Sequence, residues 1–177
     1  MRGGGLFCFR WLAALFLFLA LSGCATPPLP PGSEPVVGLM AERLELARDV
    51  AWAKWADGLP VRDPARERLV LAKLCRQGTM ADIDEVLILR FARAQIEASC
   101  LEQEAWMKRW REGTPLPAGD PPALGDLRLR LERLSAMLLA EYAAAWNTPP
   151  TAAAAKLRPV VINPRSATVA ASGFVPE

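Results

Sequence analysis

The run Val36-Val-Gly-Leu-Met-Ala-Glu-Arg-Leu-Glu-Leu-Ala-Arg-Asp-Val-Ala-Trp-Ala-Lys54 decides the fold. At 100° per residue, Val36, Met40, Arg43, Ala47, Val50 and Lys54 fall within an arc of about 80°, while Glu42, Glu45, Arg48 and Asp49 fall on the opposite side. The spacing predicts an amphipathic helix. Its apolar face is interrupted by two cations, Arg43 and Lys54, which lie eleven residues and so about 20° apart in direction. Unpaired buried cations are expensive, so this face is expected to meet an anion.

Outward from that run the chain reads as four helices. The first is expected from about Pro35 to Asp57, with Gly58 as a stop and Leu59-Pro60 preventing continuation. The second takes Asp63 as cap and Pro64 in its first turn, and runs to Gln77 before Gly78. The third spans about Asp82 to Arg111, with Asp82, Asp84 and Glu85 at its start and Lys108, Arg109 and Arg111 at its end, signs that suit the helix dipole. A Pro/Gly-rich link, Thr114 to Pro122, leads to the fourth, about Ala123 to Asn147, which is stopped by Pro149-Pro150. Leu124, Leu127, Leu131, Leu134 and Leu138 step along it as a packing stripe. No strand pattern of useful length precedes residue 158, so the fold class is all-α, a single helical domain over residues 35–147. The tail 148–177 is Pro- and Ala-rich, and its last twenty residues are expected to be loosely ordered.

The opening of the 177-residue chain is a targeting segment. Arg2 and Arg10 precede the apolar run Trp11 to Leu21, and Leu21-Ser22-Gly23-Cys24 has the form of a lipobox. Residues 1–23 are therefore expected to be a lipoprotein signal, with Cys24 lipidated and residues 24–34 forming a proline-rich tether to a membrane surface. An ordinary secretory signal or an uncleaved anchor is the alternative. Ala25 after the cysteine favours the outer membrane. Of the remaining thiols, Cys75 and Cys100 either form one disulfide or stay as two separate buried thiols.

Charge excludes several functions. The formal net charge of +2 gives no basic surface of the kind nucleic acid requires. There is no histidine, and no cysteine pair spaced to hold zinc. No metal or cofactor is implied.

The third helix repeats the anomaly of the first with neutral groups. Ile88, Ala92, Ile96, Ser99, Gln103, Trp106 and Trp110 share one face, and Ser99 and Gln103 sit one turn apart within it. Arg66 and Glu67 follow the Asp63 cap on the second helix, and Arg128 borders the leucine stripe on the fourth. Mutual pairing inside a bundle would account for any one of these groups. Together, cations and neutral donors without an acid-base pair describe a site that binds and polarises a small, multiply charged anion.

The segments Glu42 to Trp55, Leu59-Pro-Val-Arg-Asp-Pro-Ala-Arg-Glu67, Phe91 to Ser99, and Gln103 resemble the all-helical chorismate mutases, specifically their exported (gamma) subclass. The likeness extends over about Val36 to Trp146. It implies that Arg43 and Arg128 clamp two substrate carboxylates with help from Arg66 and Ser99, that Lys54 and Gln103 donate to the ether oxygen, and that Glu67 with backbone near Asp63 holds the ring hydroxyl. Arg128 would then play the part that a partner chain's cation plays in cytoplasmic members. A homodimer is compatible with the resemblance.

The implied reaction, chorismate to prephenate, breaks one C–O bond as one C–C bond forms, so it needs neither nucleophile nor metal. Holding the reacting arm over the ring and stabilising charge on the ether oxygen suffices, at about 3 kcal/mol per well-placed donor. Two departures stand out: Cys100 occupies a position that is often charged in relatives, and the region after Trp146 is shorter than in some exported members, which leaves their extra helices unaccounted for. The alternative function is a non-catalytic helical lipoprotein that binds or scaffolds.

Overall fold

The computed structural model describes residues 28–145 and 148–174; the export segment, Cys24 and the expected end of the fourth helix at Asn147 lie outside the described residues. The described residues form six α-helices and no strands: α1 (Ser33–Ala56), α2 (Pro64–Thr79), α3 (Glu85–Arg111), α4 (Leu124–Ala145), α5 (Pro150–Leu157) and α6 (Pro164–Ala171), with single 3-10 turns at Arg158–Val160 and Ser172–Phe174.

The helix ends follow local chemistry. After α1 the chain turns left-handed at Gly58 (φ 66°), so that Leu59 N–H reaches Lys54 C=O at 2.8 Å and Gly58 N–H reaches Trp55 C=O at 3.3 Å. Gly113 (φ 99°) closes α3 in the same way, with Thr114 N–H on Arg109 C=O at 2.9 Å. Asp63 caps α2 by accepting Arg66 N–H at 3.0 Å, with Pro64 in the first turn.

Two boundaries and the number of helices differ from expectation. Gly78 does not end α2, which runs on to Thr79. The glycine is there for close approach: a Cβ on it would lie 2.1 Å from Ile88 Cδ1, so its absence lets α2 pack on α3. Asp82 is not part of α3 but a left-handed turn residue (φ 54°), and Asp84 caps the helix through Val86 N–H at 2.8 Å. The bundle has six helices where four were expected, because the tail is ordered.

That tail forms part of the main core. Ala153, Leu157, Ala167, Ala170, Ala171 and Phe174 are buried with Val36, Met40 and Leu44 of α1, Phe91 and Ala98 of α3, and Leu138 and Tyr142 of α4. Phe91 stacks on Tyr142 with ring centroids 4.2 Å apart, and Phe174 lies 5.7 Å from Phe91. Tyr142 OH donates to Gly173 C=O at 2.9 Å. Glu102, on α3 and only 1% exposed, accepts the backbone N–H groups of Ile162 and Asn163 at 2.6 and 3.2 Å. This buried carboxylate pins the turn before α6. Along α4 the leucine stripe does what its spacing predicts: Leu127 and Leu134 pack on Leu46, Val50 and Ala53 of α1.

Candidate active site

The face of α1 read from the sequence is buried as a unit: Val36, Met40 and Ala47 are 0% exposed, Val50 4%, Arg43 6% and Lys54 9%. Where α1 is covered by the C-terminal helices, that face is core. Further along, α2 and α4 stand away from it and leave a cavity of about 380 Å³ lined from four helices. This size suits a small organic ligand. Arg43 and Lys54 come from α1, Asp63, Arg66 and Glu67 from the start of α2, Ser99 and Gln103 from α3, and Arg128 from α4. The structure thus brings all eight sequence-predicted residues to one cavity. Val50, Leu74, Ile96 and Leu131 supply its apolar surface.

The electrostatics are unbalanced in favour of an anion. Arg43 Nη1 donates to Ser135 Oγ at 2.9 Å and to Leu131 C=O at 3.4 Å, both neutral acceptors. Lys54 Nζ donates to Val61 C=O at 2.5 Å. Among the described residues, neither cation has a carboxylate within ion-pair distance, and Arg128 has neither hydrogen bond nor ion pair. Only Arg66 is matched, through Glu132, which also accepts from Lys73 at 2.8 Å. Those two donors hold the Glu132 carboxyl below its ordinary range.

The pKa shifts express the same strain. Burial lowers Arg43 to about 10. Lys54 is lowered chiefly by burial and further by the like charge of Arg128, against the opposing pull of Asp63 and Glu67. Cys100, which also lines the cavity, is pushed up to about 11 by burial, so at neutral pH it is a neutral thiol. Cys75 and Cys100 are both free thiols, so the disulfide is not formed, but only Cys100 is buried as the other alternative expected, and Cys75 is partly exposed.

Gln103 Nε2 donates one hydrogen to Ser99 Oγ at 3.1 Å, leaving its second N–H for a ligand. The pair is one turn apart and 4% and 5% exposed, aimed together as the spacing requires. Trp106, from the same predicted row, is half-buried outside the cavity, its ring flanked by the guanidinium carbons of Arg48 and Arg109 at 5.2 and 5.6 Å.

Sequence reasoning missed Ser135, Glu132, Lys73 and the carbonyl of Val61. The signal for two of them was present: Arg128, Glu132 and Ser135 recur at i, i+4 and i+7 on α4, and Ser135 interrupts the leucine stripe. The Val61 carbonyl belongs to an irregular loop and leaves no side-chain signature. That loop is fastened by Arg62, which makes bonds of 2.7 and 3.0 Å to both oxygens of Glu97 and one of 2.9 Å to Glu104.

Residues 34–104, which run from the start of α1 to just past Gln103 and carry every predicted site residue except Arg128, match the family model described as chorismate mutase type II. Over these residues the chain is similar to the helical chorismate mutases of type II. Among particular relatives, the chain is 27% identical over 161 residues to the secreted chorismate mutase of Mycolicibacterium smegmatis, covering 89% of this chain and 87% of that protein. It is 29% identical over 136 residues to the secreted chorismate mutase of Mycobacterium tuberculosis, covering 74% and 68%. The crystal structure of chorismate mutase from Burkholderia thailandensis superposes with a TM-score of 0.70 at 28% identity, over 81% of this chain and 97% of that one.

Proposed function

We propose that the protein is an exported chorismate mutase that rearranges chorismate to prephenate within the four-helix cavity. One observation carries the reading: among the described residues, Arg43, Lys54 and Arg128 face one cavity with no carboxylate partner, a costly arrangement unless a dianion supplies the missing charge. Arg43 and Arg128 clamp its two carboxylates, with Arg66 and Ser99 assisting. Arg66 must be shared with or released from Glu132 to do so. Lys54 and Gln103 donate to the ether oxygen as its bond breaks. Glu67 and the backbone near Asp63 accept the ring hydroxyl.

The chemistry asks for nothing else. The clamp holds the enolpyruvyl arm over the ring, so that part of the barrier is met by orientation. Charge then grows on the ether oxygen, where a lysine and an amide already stand with little water to screen them. Because Gln103 donates without titrating, no acid limb is expected near neutral pH.

All eight residues come from one chain, including the cation on α4, and this supports assignment to the exported subclass, whose site needs no second copy. A homodimer, if formed, leaves the cavity complete in each protomer. The secreted relatives support export, and the lipobox ending at Cys24 supports lipid anchoring on the periplasmic face of the outer membrane. Cys24→Ser is expected to move the protein from the membrane to the soluble envelope fraction; continued membrane retention would argue against the anchor. The function itself is tested by adding purified protein to chorismate: absorbance should fall and prephenate should be recovered as product. A folded protein that leaves chorismate unchanged would return the binding or scaffolding alternative.

A further inference from the structure

Behind the clamp lies a second, much smaller space. It holds about 10 Å³ and is bounded by Arg43, Gln95, Ser135 and apolar side chains that include Ile88, Phe91 and Leu138. Two polar atoms at this position are buried and lack a partner: Arg43 Nε, a donor, and Gln95 Oε1, an acceptor. Their residues are 6% and 4% exposed. The Gln95 amide cannot be turned to relieve this, because its Nε2 donates to Ala170 C=O at 3.0 Å and a carbonyl can only accept. Its oxygen therefore faces away from α6.

We propose that this space is a single-water site, and that the water makes Gln95 a positioning residue for Arg43. This inference rests on the reading of Arg43 as a carboxylate clamp. The volume is about that of one water sphere, and a buried water is stable when it has two to four polar partners. Here it accepts from Arg43 Nε–H, donates one hydrogen to Gln95 Oε1, and donates the other to Ser135 Oγ. That oxygen already donates to Leu131 C=O at 2.7 Å and accepts from Arg43 Nη1, so one lone pair is left. The two unpartnered atoms, Arg43 Nε and Gln95 Oε1, are then both satisfied.

The consequence is a fixed guanidinium plane. Ser135 holds one Nη and the water holds Nε, so the fork can rotate about neither bond and its remaining edge faces the cavity. The same chain of contacts runs from the Ala170 carbonyl on α6 through Gln95 to the clamp. It gives the C-terminal helices a role at the site although neither of them lines the main cavity.

The test combines a structure with kinetics. A high-resolution crystal structure should show one ordered water within hydrogen-bond distance of Arg43 Nε, Gln95 Oε1 and Ser135 Oγ; an empty or apolar-filled space would overturn the proposal, whatever the protein's activity. Gln95→Leu should raise KM for chorismate about tenfold while kcat falls less than about threefold, since a clamp binds ground and transition states alike. Tyr142→Phe is the control, because it removes a different tie to the C-terminal segment, the bond to Gly173 C=O, without touching the water site. It should leave KM unchanged. An equal rise in KM in Tyr142→Phe would assign the effect to loosened C-terminal packing and overturn the positioning role, as would unchanged kinetics in Gln95→Leu. A wild-type protein without turnover would instead sink the reading of the main cavity.

Discussion

Lys54 carries the sharpest consequence of burial. Its pKa is lowered, chiefly by desolvation, so the charged form that the proposed mechanism requires is lost below the usual lysine range of about 10.4. The alkaline limb of kcat/KM, which reports the free enzyme, is expected below that value, and the limb of kcat at higher pH, because a bound dianion restores the proton's affinity. Coincident limbs would contradict the account. Unfolding does not mimic this loss. Lys54 and Arg43 are both lowered in the folded state, so the unfolded chain binds these protons more tightly, and stability from these two groups rises as pH climbs from the lowered to the ordinary values. Gln103→Glu tests the second donor. The variant must be protonated to donate, so its kcat should survive at acid pH and fall by about a hundredfold or more above the carboxyl pKa, while wild type stays flat.

Single contacts fix the placement of whole elements, and two of them lay beyond what periodicity can reveal. Gly78 reads in sequence as a helix stop, since glycine ends helices more often than it packs within them. In the fold it is where α2 meets Ile88 of α3. Gly78→Ala should cost about 1–3 kcal/mol in chemical denaturation through forced displacement of Ile88. Because α2 carries Asp63, Arg66 and Glu67, KM should rise as well. A variant as stable as wild type would show that α2 can shift at no cost. Glu102 reads as one more acid on a charged helix, yet it is buried and holds the N–H groups of Ile162 and Asn163. Glu102→Ala should destabilise by about 3 kcal/mol, because two buried donors lose charged acceptors. An unchanged midpoint in urea would show that water replaces the carboxylate.

At the scale of the molecule, what was legible divides along physical lines. The four long helices declared themselves through period and caps, and the cavity residues through polar groups placed on apolar faces. The conflict between pattern and chemistry at Arg43, Lys54, Ser99 and Gln103 was itself the signal. The C-terminal helices were not legible. Their buried positions, Ala153, Ala167, Ala170 and Ala171, are occupied by alanines, which carry too little apolar surface to mark a face but allow close helix approach. Their packing on α1 and α3 predicts that deleting residues 148–177 abolishes cooperative unfolding, whereas a loose tail would be dispensable. Binding should be visible in the same way: prephenate at a hundredfold excess over its Kd should add about 2.7 kcal/mol of stability.

The claim on which all of this depends is that a cavity of unpaired cations rearranges chorismate by stabilising charge on one oxygen. It is tested most directly by measuring kcat for chorismate in wild type and Lys54→Ala side by side, with circular dichroism on both. The account predicts saturable conversion to prephenate by wild type, and loss of turnover in a variant of unchanged helicity. Near-normal turnover in folded Lys54→Ala, or none in wild type, would contradict it.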